Sequence, residues 1–76
     1  MNAALDRPPV RPALSAREVV LLQCLARACT DRQTARVLNM MPRTVASHIA
    51  RLRNRCGAAN RLQLVVWAIQ WGVLTP

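Results

Sequence analysis

This sequence predicts an all-α fold of four short helices, and three observations carry that prediction. Apolar residues recur three and four positions apart along most of the chain, and no stretch alternates as a strand would. Ser15, Thr30 and Asn60 have N-cap chemistry, and each is followed three positions later by Glu or Gln. The composition is 53% hydrophobic but only 3% aromatic, an Ala/Leu/Val-rich balance that suits small packed helices.

Residues 1–13 hold three of the five prolines and show no hydrophobic period, so they are expected to form a flexible tail. A single domain over 14–76 follows. Ser15 with Glu18 opens a first helix that runs to about Ala28, with Leu21, Leu22, Leu25 and Ala28 facing inward. Thr30 with Gln33 opens a short second helix to about Leu38, with Thr34, Ala35 and Leu38 facing in. Asn39 suits a left-handed helix end. Pro42 then starts a third helix, at the position where a missing N–H costs nothing, and that helix stops at Gly57. Asn60 with Gln63 is a third capping box, and the fourth helix covers 61–71 before Gly72.

Eleven arginines and no lysine stand against three acids, a net charge of +8 on 76 residues. A pI near 11.8 on so small a domain points to a polyanionic partner, above all nucleic acid. The longest apolar run, Leu64 to Ile69, is far short of the ~20 residues a membrane helix needs. No apolar segment of signal-peptide type opens the chain, so a cytoplasmic, nucleoid-associated protein is expected. Cys24, Cys29 and Cys56 are odd in number and lack a Cys-x-x-Cys pair. Small, buried, reduced residues explain them better than metal ligands, and no cofactor is expected. An enzyme is disfavoured too, because the sequence holds no carboxylate pair, phosphate-binding glycine loop or nucleophile–base set.

The second and third helices have the proportions of a helix-turn-helix. At ~100° per residue, Val45, Ile49, Leu52 and Cys56 form one apolar stripe on the third helix. Arg43, Ser47, Ala50, Arg51 and Asn54 lie opposite, with Ala46 and Arg53 on one flank and Thr44, His48 and Arg55 on the other. Small residues at the tip with arginines along the sides suit a helix that enters a major groove.

These residues resemble the LuxR/GerE-type DNA-binding domain over 14–74. The marks are Leu14-Ser15-x-Arg17-Glu18, Leu21-Leu22, Thr30, Ala35, Leu38, Thr44-Val45-x-x-His48, Leu52, Arg55, Gly57, Asn60-Arg61 and Ala68. The resemblance implies a four-helix domain whose third helix enters the major groove and whose fourth commonly dimerises. It also implies that Arg32, Thr44, His48, Arg55 and Arg61 hold the DNA backbone, and that positions 46, 47 and 50 face base edges. Ala46 and Ala50 stand where the family often has polar residues, so guanine contacts would fall to Arg43 or Arg51. Met41 replaces a common capping Ser or Thr, Arg53 stands where the family is apolar and is expected to add basic surface, and Val19 and Val20 stand where it is charged.

The fourth helix is apolar nearly all round. Leu64, Val65 and Ala68 are expected to face the core, leaving Val66, Trp67, Ile69 and Trp71 for a dimer interface. The alternative is that the tail or residues 73–76 cover the tryptophans. A stand-alone bacterial transcription regulator, acting on double-stranded DNA as a homodimer, is the expected function. The competing expectation is an anti-regulator or interaction module that heterodimerises with a larger LuxR-type protein.

Overall fold

The computed structural model describes residues 8–75; the part of the expected tail over 1–7 lies outside the described residues. Four helices follow in order: α1 (Ala16–Ala26), α2 (Asp31–Leu38), α3 (Pro42–Cys56) and α4 (Arg61–Gln70). The fold is the all-α, four-helix arrangement that the periodicity and caps predict.

Three of the helix starts follow from cap chemistry. The Ser15 hydroxyl accepts from the Glu18 amide at 3.1 Å, while the Glu18 carboxylate accepts from the Ser15 amide at 2.9 Å. Thr30 and Gln33 repeat this exchange at 3.1 and 2.8 Å. Both boxes satisfy amides that a helix start leaves orphaned. Helix α3 begins on Pro42 with no side-chain cap from Met41. At α4 only half of the expected box forms. Asn60 accepts from the Gln63 amide at 2.8 Å, but the Gln63 side chain accepts from Ala59 at 2.6 Å. Gln63 is buried, and Arg53 donates to the Ala59 carbonyl at 2.6 Å. Two side chains thus satisfy both backbone groups of Ala59 in the tight α3–α4 corner, and Arg53 is a corner clip rather than added basic surface.

All four helices end the same way. A left-handed residue reverses the chain, and the next amide bonds back to a carbonyl five residues earlier, the Schellman arrangement. The left-handed residues are Ala28, Asn39, Gly57 and Gly72, and the closing bonds run from Cys29 to Cys24, Met40 to Ala35, Ala58 to Arg53 and Val73 to Ala68. Asn39 and the glycines announce their ends in sequence. Ala28 does not, so α1 stops at Ala26 and Ala28 is exposed instead of facing inward.

The core gathers around α3. Val45, Ile49, Leu52 and Cys56 are all buried, packed with Leu21 and Leu22 of α1, Ala35 and Leu38 of α2, and Leu64 and Ala68 of α4. Trp67 joins them at 4% exposure. It is therefore part of the core and unavailable as the interface residue that the sequence suggested. Trp71 is half-buried, its ring centroid 6.1 Å from that of Trp67, and its indole N–H donates to the Pro9 carbonyl at 2.7 Å. Residues 8–13 form no helix, yet the tail meets the domain here. Burial pushes the Cys24 and Cys56 thiols up, which keeps them protonated and in the role of small apolar residues.

Ala28 adopts its left-handed φ of 58° with a Cβ that disfavours it. Ala28→Gly should raise the unfolding free energy by about 1 kcal/mol in urea denaturation. A lower or unchanged value would show that this turn holds no such strain.

Candidate nucleic-acid interface

The buried stripe on α3 dictates which residues face away from the core. Arg43, Ala46, Ser47, Ala50, Arg51 and Asn54 are all exposed on the opposite face. The structure thus brings together all five residues expected at base edges. The Ser47 hydroxyl donates to the Arg43 carbonyl at 3.1 Å, one turn back. No hydrogen bond or ion pair within the described residues engages the guanidinium of Arg43 or Arg51. Thr44 and His48 are half-buried on the flank, and His48 lines a groove of about 210 Å³ with Arg17, Glu18, Arg51 and Arg55. Arg32 is exposed on α2.

The other two expected backbone contacts have work inside the protein. Arg55 pairs with Glu18 at 2.9 Å and also donates to the Ala13 carbonyl at 3.1 Å. Arg61 grips Asp31 with two nitrogens, at 2.8 and 3.2 Å. Each acid sits in the first turn of a helix, where its charge also suits the helix dipole. Each arginine comes from a helix far along the chain, so the pairs tie α1 to α3 and α2 to α4. Exposed pairs of this kind contribute little stability, about 0–1 kcal/mol each, so their main effect is to orient the elements. The sequence could not reveal them, because only folding brings partners 37 and 30 residues apart together.

This pairing has an electrostatic consequence. Glu18 and Asp31 are the only acids among the described residues, and both are neutralised by arginine. Among the described residues, no other carboxylate offsets the guanidinium groups on the outer face of α3. That face carries what a polyanion requires: net positive charge around a flat, small-residue tip.

On α4, Gln63, Leu64, Trp67 and Ala68 are buried. The opposite side carries Leu62, 72% exposed, with half-buried Val65, Val66 and Ile69. Their spacing of three, one and three residues makes one apolar stripe. Two of the four expected interface residues, Val66 and Ile69, belong to it. Leu62 was not among the expected residues, and Val65, expected to face the core, is half-buried and packs against it. Trp71 instead faces Pro9.

Comparison with known proteins decides the family. Residues 12–68 match the bacterial regulatory proteins of the luxR family, the GerE domain. The chain belongs to the LuxR/GerE family. This family assignment makes the chain a DNA-binding transcriptional regulator domain rather than an enzyme. It is 34% identical over 62 residues to the transcriptional regulatory protein YdfI of Bacillus subtilis, covering 82% of this chain and 29% of that protein. It is 38% identical over 69 residues to the transcriptional activator protein VanR of Vibrio anguillarum, covering 87% of this chain and 28% of that protein. The LuxR/GerE chain therefore spans less than a third of the length of these curated relatives. No solved structure matches it significantly. No described helix is long and apolar enough to cross a membrane.

The Glu18–Arg55 pair makes stability depend on pH. Burial raises the Glu18 pKa, but hydrogen bonds from Arg55 and Ser15 and the Arg55 charge outweigh it, leaving the carboxyl below its ordinary value. A lowered folded-state pKa gives stability that is complete above the ordinary carboxylate range and lost as pH falls through the folded value. Thermal unfolding from neutral pH to about pH 3 should show this loss in the wild type. Glu18→Gln, which keeps an acceptor for the cap, should flatten that part of the profile. Matching profiles for the two proteins would remove the pair from the account.

Proposed function

We propose that this protein regulates transcription by binding double-stranded DNA sequence-specifically as a homodimer, with α3 lying in the major groove. Ala46, Ser47 and Ala50 face the base edges, with Arg43 and Arg51 beside them. Arg32, Thr44 and His48 hold phosphates, and the outer N–H groups of Arg55 and Arg61 add contacts while their inner ones stay on the acids. The observation that carries this reading is the outer face of α3: a small-residue tip between unpaired guanidinium groups, with both described acids neutralised elsewhere. The similarity to YdfI, a transcriptional regulatory protein, and to VanR, a transcriptional activator protein, supports it. Its place of action is the cytoplasm, at the nucleoid.

The apolar stripe of Leu62, Val65, Val66 and Ile69 supports pairing through α4. A symmetric pair would present two α3 helices to half-sites about one helical turn apart. The same stripe also suits a heterodimer with a larger relative, and the alanines at the tip favour that second reading. Titration against genomic DNA fragments at several salt concentrations separates the two. Preferred fragments with a steep salt slope support the regulator. Binding without preference, together with stable capture of a larger LuxR-type protein, supports the second reading.

Arginine variants should fall into two groups. Arg51→Ala should weaken DNA binding and relax preference at particular bases while leaving the melting temperature unchanged. Arg55→Ala and Arg61→Ala should weaken binding to all sequences alike and also lower the melting temperature. Equal effects of all three on stability would contradict the division between free and clamped arginines. For the dimer, Leu62→Glu should yield monomer in light scattering. An unchanged dimer, or a monomeric wild type at high concentration, would rule out α4 as the interface.

A further inference from the structure

The tip of α3 has an unusual hydrogen-bonding inventory. Ala46 and Ala50 are one turn apart and exposed, and Ser47 lies between them on the same face. A serine hydroxyl has one proton to donate and two lone pairs with which to accept. The Ser47 hydroxyl donates to the Arg43 carbonyl, 3.1 Å away. The tip therefore offers two methyl groups and a single hydroxyl. Charged and amide donors stand around it, on Arg43, Arg51 and Asn54.

The major-groove edges of the bases respond differently to such a surface. Guanine presents two acceptors, N7 and O6, which an alanine methyl packed over them would leave desolvated and unpaired. Cytosine and adenine each present an amino group that a serine oxygen can accept. Thymine presents its C5-methyl, which an alanine methyl can pack against.

Resting on the proposed groove binding, we infer that α3 selects its site by the C5-methyl of a pyrimidine packed against Ala46 and Ala50. Ser47 accepts from a neighbouring cytosine or adenine amino group on the same strand, and guanines on that strand are confined to positions beside Arg43 or Arg51. A 5-methylcytosine carries the same methyl, so the recognised group is shared by two bases. The alanines are thus specificity-determining residues, and they read the centre by methyl contact rather than by hydrogen bonds.

The test begins by enriching binding sites from a random duplex pool with the full chain. Each thymine of the enriched half-site is then replaced by deoxyuridine, which removes only the methyl. One or two replacements should weaken binding by about three- to tenfold, the scale of one buried methyl group. Ala50→Ser should bring the thymine-to-uracil ratio close to one at a sensitive position while leaving the other positions unaffected. Duplexes with cytosine or 5-methylcytosine at that position identify the source of the methyl. Tighter binding of the methylated base extends the inference to both sources, and equal binding assigns it to thymine.

Uracil tolerated at every position, or an enriched centre made only of G·C pairs, would overturn the inference while leaving DNA binding in place. Retention of duplexes with no enriched sequence would overturn it as well. Failure to retain any duplex would overturn both this inference and the groove binding on which it rests.

Discussion

One constraint organises this protein: α3 must bury Val45, Ile49, Leu52 and Cys56 on one side while leaving the other side bare. At 3.6 residues per turn, those four positions point one way along the whole helix. The hydrophobic effect drives them under α1, α2 and α4, which share the same core cluster. The exposed face then follows without further instruction. Arg43, Ala46, Ser47, Ala50 and Arg51 are displayed together because their neighbours are anchored. A rigid presentation of this kind suits recognition, since the display does not have to be ordered at the moment of binding.

A chain this small has little apolar surface to spare, and its connections carry much of the definition. Each helix closes with a left-handed residue and a backward amide bond, so the reversals are short and satisfy backbone carbonyls. Arg53 and Gln63 do the equivalent at the α3–α4 corner by bonding Ala59 from both sides. The two ion pairs then join α1 to α3 and α2 to α4. They also remove both described acids from the surface charge. One pair of contacts therefore serves architecture and electrostatics together.

Much of the site was legible before folding because it depends on local rules. The stripe on α3 and its opposite face follow from helical spacing, which holds wherever the segment is helical. The boxes at Ser15 and Thr30 and the ends at Asn39 and Gly57 follow from side chains acting within one turn. Trp67 escaped this reasoning because α4 is apolar on nearly every side. Periodicity cannot choose an inward face when polar residues do not mark the outward one. Arg53 reads as basic surface in the sequence because nothing in its neighbourhood shows that a carbonyl six residues on turns toward it.

Local sequence by itself determined where the helices begin, three of their four ends, and which side of α3 is bare. These depend on groups within about one helical turn, whose geometry is set by the backbone. Tertiary structure decided which arginines remain unpaired, which face of α4 is left apolar and outward, and that Trp67 belongs to the core. Those outcomes require residues tens of positions apart to meet. Only packing brings Glu18 to Arg55 and Asp31 to Arg61.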